Sequence, residues 1–472
     1  MSTLGVAFST ESTSATARTI LSEALRKADP VGARAVENET SWRRNYLSHF
    51  RRAVEAGIGE PPAAQAIAAD GLAAARGAMR FGDVGLDEAI SGTALSQVFH
   101  TRTIQGTAAA ETQLTVPYRG ERLGGKALTD QIEVWAATGI ITQSCADALK
   151  TVQANPSWLR LEGDTIVILG AGAEMAPYRA LLRWGAEIVA IDLPNPDMQA
   201  RVRAHAEESA GRVHVPARIM TNGDDDSGAD LVTELSAVAH WLDGIDGRLV
   251  LGNYCYADGS MHVRVSMAAD ALATHLTQQR PETALAFLAT PTDTFAVPAE
   301  EVAMANQAYA DSSRLVRAPL RMISGGRLLQ RNYPPGADPG ICDALVPQQG
   351  PNYALAKRLQ RWRATTARQA GTTVSLNVAP ATRTRSVVKN KALAAAYAGA
   401  HRFGVEVFEP ATSNTLMAAL LAYDLRADTA PQAEPWQDEA VNAAHGGLWT
   451  SAYHPRSALG LAAVLGIGAL RG

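Results

Sequence analysis

Residues 165–192 read TIVILGAGAEMAPYRALLRWGAEIVAID, and that order of residue types admits few folds. A β-branched strand runs into Gly170-Ala171-Gly172, an amphipathic stretch follows, and a second strand stops at Asp192. Parallel strands need a crossover, usually helical, so the pattern predicts a βαβ unit in a sheet covered on both faces. Glycine in the turn lets the backbone approach a pyrophosphate, and the N–H groups opening the next helix favour the same anion. The expected phosphate seat is Gly170, Gly172, Ala173, Glu174 and Met175. A carboxylate at the end of the second strand suits the hydroxyls of an adenosine ribose and repels a 2'-phosphate, so Asp192 predicts NAD(H) rather than NADP(H). The competing reading is a purely structural turn. Ala173, Glu174 and Ala176 stand where such turns often carry glycine, and Glu174 adds negative charge near the phosphate.

After Asn155-Pro156 short β-branched runs alternate with helical stretches. Strands are expected at 165–169, 187–191, 213–219, 248–254, 283–288 and 373–378, with a weaker one near 327–330. Before that boundary, apolar spacings of three and four predict helices at 42–56, 62–79 and 127–152, and turn-broken alternation at 101–125 predicts a hairpin. The expected organisation is a mainly helical N-terminal domain over 1–160. An α/β doubly wound, parallel-sheet Rossmann domain follows over 161–472, its C-terminal helical segment on the substrate side.

Composition excludes several classes. Hydrophobic residues are 47% and charged residues 19% of 472, ordinary for a folded globular chain. A net charge of -4 lacks the basic footprint of a nucleic-acid binder. Cys145, Cys255 and Cys342 are far apart, which suggests neither a disulfide framework nor a thiolate metal site, and the histidines show no ligand spacing, so no metal is expected. No apolar run is long enough to span a membrane and the start lacks a signal-peptide pattern, so the expectation is a cytoplasmic protein, with the run 461–470 a packed helix or a contact in a homo-oligomer. A small molecule is the expected substrate.

Asn352-Tyr353-Ala354-Leu355-Ala356-Lys357 lies in a helical stretch, where a spacing of four puts Tyr353 and Lys357 on one face. An ammonium beside a phenol moves its pKa toward neutrality and makes it a usable acid or base. Eleven tyrosines and six lysines would produce such a pair by chance about one time in seven, so its surroundings matter. A strand ending Asn377-Val378-Ala379-Pro380-Ala381-Thr382-Arg383-Thr384 follows within about twenty residues.

In this order of parts, over roughly 160–425, the chain resembles the short-chain dehydrogenase/reductase superfamily. The resemblance implies that Tyr353 and Lys357 are catalytic, with Lys357 also holding the nicotinamide ribose. It implies that Leu288, Ala289 and Thr290 pass beside the cofactor, and that Pro380 and Thr384 lie on its nicotinamide side. Asp224-Asp225-Asp226 stands where an adenine-contacting acid would, although a solvated loop is the favoured reading of this cluster. Gly340 occupies the usual place of the catalytic serine, which leaves Ser324, Asn332, Thr290 and Thr292 as candidate second donors. An inserted βα unit is expected around 248–279, and Arg361-Trp362 is similar to a pair in ketoreductase domains of type I fatty-acid synthases. The expected reaction is NAD(H)-dependent interconversion of an alcohol and a carbonyl. The alternatives are an NAD-using epimerase, dehydratase or carbon–carbon lyase, and a non-catalytic dinucleotide-binding protein.

Overall fold

The β-branched runs pair into one twisted sheet in the computed structural model, which describes residues 5–92, 98–219 and 225–467. Its strands are β1 (His100–Gln105), β2 (Asp164–Leu169), β3 (Glu187–Ile191), β4 (Arg212–Ile219), β5 (Asp225–Ser227), β6 (Arg248–Asn253), β7 (Ala284–Ala289) and β8 (Val374–Val378). They lie in the order β8-β7-β6-β2-β3-β4-β1, with β5 paired to β4. β1 and β5 run antiparallel to β4 and all the other pairings are parallel. Counting only the parallel strands along the chain, the order is 3-2-1-4-5-6. The winding reverses between β2 and β6, and in open sheets of this kind a crevice lies outside the carboxyl ends at that reversal.

Alternate side chains of each strand enter two cores, which is why the strands read as continuous apolar runs. Val167, Leu169, Leu249, Leu251, Leu285 and Phe287 face one core; Ile166, Ile168, Ile188, Ala190, Val250 and Ala286 face the other. The first core is closed mainly by helices Thr13–Leu25, Pro61–Gly77, Ser260–Gln279 and Pro351–Gln369, and the second by Gln143–Ala154 and Pro410–Arg426. Among the described residues no helix is long and apolar enough to cross a membrane.

Several expectations need correction. The first 160 residues do not build a core of their own: Ile20, Leu21, Phe50 and Leu72 share the first core with Leu251 and Phe287, and β1 supplies the sheet's edge. The boundary expected at 160 therefore does not divide the core. The segment 101–125 is split between β1 and a hairpin of Thr115–Tyr118 with Glu121–Gly124, and the single helix expected at 127–152 is interrupted at Gly139, whose φ of +68° ends the first helix. No strand forms at 327–330, where Gly325 and Gly326 turn the chain at positive φ. Residues 248–279 are not an insertion, because β6 pairs with β2 along its whole length. Asp224 lies outside the described residues, while Asp226 is 3.6 Å from Arg218.

Candidate active site at the carboxyl ends of the sheet

Gly170 follows β2 at φ +84°, and a Cβ there would sit 3.1 Å from the Cys255 Cα and the Tyr254 carbonyl oxygen beyond β6. The two strand ends approach so closely that only glycine fits. The Gly172 N–H donates to Asp192 Oδ2 at 2.7 Å and the Leu193 N–H to Oδ1 at 2.8 Å. A carboxylate offers about four acceptor positions, so about two remain for a ligand's hydroxyls. Burial holds the Asp192 carboxyl above its ordinary range, against the two backbone donors.

Between turn and helix the structure departs from expectation. The helix does not start at Gly172 but at Tyr178, and it ends at Arg183. Ala173, Glu174 and Met175 lie in an irregular turn closed by Ala173 N–H to Gly170 O at 3.0 Å and Ala176 N–H to Ala173 O at 3.1 Å. Pro177 explains the delay: it disfavours helical geometry at Ala176 and is itself suited to a helix entrance. The Glu174 carboxylate accepts from the Arg385 backbone N–H at 2.7 Å and its Nε at 3.0 Å. The negative charge is thus engaged by the loop after β8 and ties that loop to the glycine turn.

Helix Pro351–Gln369 opens with Gly350 at φ 79° and proline in its first turn, which sets its entry angle beside β7. Tyr353 and Lys357 are both half-buried on one side of it. The Tyr353 phenol lies near Thr290, the residue following β7, whose hydroxyl counters part of the upward push of burial on its pKa. Thr290 Oγ1 is 2.9 Å from Thr292 Oγ1, which accepts from Gln349 Nε2 at 2.8 Å. Lys357 Nζ donates to the Leu288 carbonyl at 3.3 Å and to Gln360 Oε1 at 3.1 Å. Burial pushes the phenol above its ordinary pKa and the amine down to about 8, so Lys357 does not bring Tyr353 toward neutrality as the spacing suggests. In this state Tyr353 is a neutral acid.

Of the four candidate second donors, Thr290 lies near Tyr353 and its hydroxyl bonds that of Thr292. Ser324 instead accepts from the Leu328 N–H at 3.0 Å, and Asn332 donates to Ser451 O at 3.1 Å. Thr290 stands at a strand end rather than at a serine spacing, a signal that the sheet rule carries and a motif count does not. Ala289 O accepts the Ala379 N–H at 3.0 Å, which sets β8 and its loop alongside. Pro380 is buried there, with Thr382 Oγ1 donating to its carbonyl at 2.8 Å, while Thr384 precedes the short helix Arg385–Lys389. Asn377 lies within β8 and donates to the half-buried Asp424 at 2.7 Å, a packing role.

Sequence reasoning missed His262. It enters the third position of helix Ser260–Gln279, after β6, and is 1% exposed. Its ring lies 5.3 Å from Tyr353 and 5.4 Å from Tyr256, and neither ring nitrogen has a hydrogen-bond partner. A lone histidine has no spacing to betray it; its place after a strand at the winding reversal was the available clue. Burial and the Lys357 charge push its pKa down to about 3. The folded chain therefore refuses a proton that the unfolded chain takes up as pH falls below about 6.5. Between pH 7 and 5, wild type should lose about 2 kcal/mol relative to His262→Phe, read from paired denaturant melts. A pH-independent difference would show that His262 titrates normally.

No protein-family model and no curated protein matches the chain. Among solved structures, one described as "Structure of A1-type ketoreductase" is similar in part, at 15% identity over 56% of this chain and a TM-score of 0.33. The match covers 47% of that protein, so the chain spans about half its length. At that score the likeness has no bearing on the site.

Proposed function

We propose that this chain is an NAD(H)-dependent oxidoreductase that interconverts an alcohol and a carbonyl, with Tyr353 as the proton donor and acceptor and Lys357 beside it. The observation that carries the reading is the Lys357 bond to the Leu288 carbonyl at the end of β7, on the helix face that also carries Tyr353, two strands from the Gly170 turn in a sheet wound 3-2-1-4-5-6. That order and a glycine turn followed by a strand-end acid are the marks of a Rossmann dinucleotide domain. The residues present fit the cofactor's adenosine half. Gly170 lets the ends of β2 and β6 meet closely at the winding reversal, and Asp192 keeps free acceptor positions at the end of β3.

When bound, NAD(H) would supply or take the hydride. The chain's own part is to hold the substrate oxygen and move a proton. Tyr353, kept neutral by burial, donates to a carbonyl oxygen as charge develops there, and Thr290 nearby would be the second donor. Lys357, anchored to Leu288 O, puts a positive charge beside that oxygen below about pH 8. Gly170–Gly172 and Asp192 would hold the pyrophosphate and adenosine ribose.

A screen of ketones with NADH and of alcohols with NAD, followed by the absorbance of the reduced nicotinamide, tests the reading. Substrate-dependent turnover in one direction or both is expected. Cofactor turnover with none of them would sink it.

A further inference from the structure

Helix Arg314–Ile323 stands with its apolar side outward. None of its ten residues is buried, and Leu315, Val316, Met322 and Ile323 are 89%, 59%, 79% and 83% exposed. Positions 315, 316, 319, 322 and 323 share one helical face, and Pro319 completes the set. A surface helix ordinarily turns that face to the core. Here the opposite face is fastened down. The Arg317 guanidinium lies 3.9 Å from the Tyr309 ring centre and donates to the Tyr309 carbonyl and Ser312 Oγ, and Arg321 donates to Leu329 O at 3.1 Å. Rolling the helix to bury its apolar side would break all of these.

Charge identifies what the exposed side fits. Residues 312–337 hold five arginines and no acid, in a chain whose net charge is -4. Arg314 and Arg327, at the two ends of the apolar strip, are exposed, and neither side chain has an ion-pair partner among the described residues. We propose that this helix docks on an anionic lipid surface, with Leu315, Val316, Met322 and Ile323 entering the headgroup–acyl boundary while Arg314 and Arg327 take lipid phosphates. A second copy fits less well. A two-fold contact through this strip would set like arginines together, and four side chains fall short of the about 800 Å² per partner of a stable interface.

Cosedimentation of the full chain with vesicles of phosphatidylcholine, alone or mixed with phosphatidylglycerol, tests the proposal. Wild type should pellet with the anionic vesicles only, and less so at high salt. Leu315→Ser with Ile323→Ser should lower the partition at least about tenfold, as should Val316→Ser with Met322→Ser. Arg314→Gln with Arg327→Gln should lower both the partition and its salt dependence. These positions are exposed, so circular dichroism melts should match wild type. The proposal is overturned if wild type ignores anionic vesicles or if both apolar double variants pellet as wild type does. It is also overturned if wild type is a dimer in sedimentation velocity and the apolar variants are monomers, which would assign the face to a second copy.

Discussion

Tyr353→Phe is expected to lower turnover at least about a hundredfold while leaving NADH affinity nearly unchanged. The substitution removes one hydroxyl and keeps the ring that packs 5.3 Å from His262 and 6.3 Å from Tyr256. Any loss therefore reports the proton, not the packing. Thr290→Val, which removes the hydroxyl near Tyr353, should act on the same step with a smaller effect. The pH profile carries a second signature. The phenol lies above its ordinary pKa and stays protonated through the neutral range, whereas Lys357 loses its charge as pH rises through about 8. Carbonyl reduction should thus fall on the alkaline side of about pH 8. Near-normal turnover in Tyr353→Phe would remove the residue from the chemistry.

Arg361→Ala is expected to destabilise the fold by about 3–5 kcal/mol, read as a lowered midpoint in thermal or denaturant melts. The Arg361 side chain is 1% exposed, on the helix that carries Tyr353. It donates to Glu439 Oε1 at 2.8 Å, to Asp293 Oδ2 at 2.9 Å and to Thr294 O at 2.9 Å, and its guanidinium lies 4.2 Å from the Phe295 ring centre. Alanine leaves two carboxylates without their shared partner, and among the described residues the remaining cation is Arg358, 3.3 Å from Asp293. Arg361→Lys keeps the charge but loses the fork, so an intermediate loss is expected. Asp293 belongs to the loop that presents Thr290 and Thr292, so turnover should fall as well. A melt unchanged in Arg361→Ala would show that the cluster contributes nothing net.

Much of this arrangement was legible before the fold was known, and the reasons differ by region. The strand, turn and strand of 165–192 carry their geometry in adjacent residues, so β2, Gly170 and Asp192 fall where the pattern puts them. Pro177 also announced the late helix start, but the amphipathic spacing around it outweighed that local signal. The pairing of β6 with β2 is not local, and a strand-sized run at 248–254 looks like an insertion until the sheet order is known. His262 and the Asp293–Arg361–Glu439 cluster were invisible for the same reason: their partners are separated in sequence by tens of residues or more. The N-terminal helices show apolar faces in the sequence but not what covers them, which is one another and helix Pro351–Gln369, in a core that runs on to the sheet.

Calorimetric titration of the whole chain with NADH and NADPH tests whether a dinucleotide sits at the winding reversal. NADH should bind at least about tenfold more tightly, or about 1.4 kcal/mol, because Asp192 accepts the ribose hydroxyls and repels a 2'-phosphate. Asp192→Asn should erase that difference. Equal affinities for the two cofactors, a preference for NADPH, or no binding of either would contradict the claim.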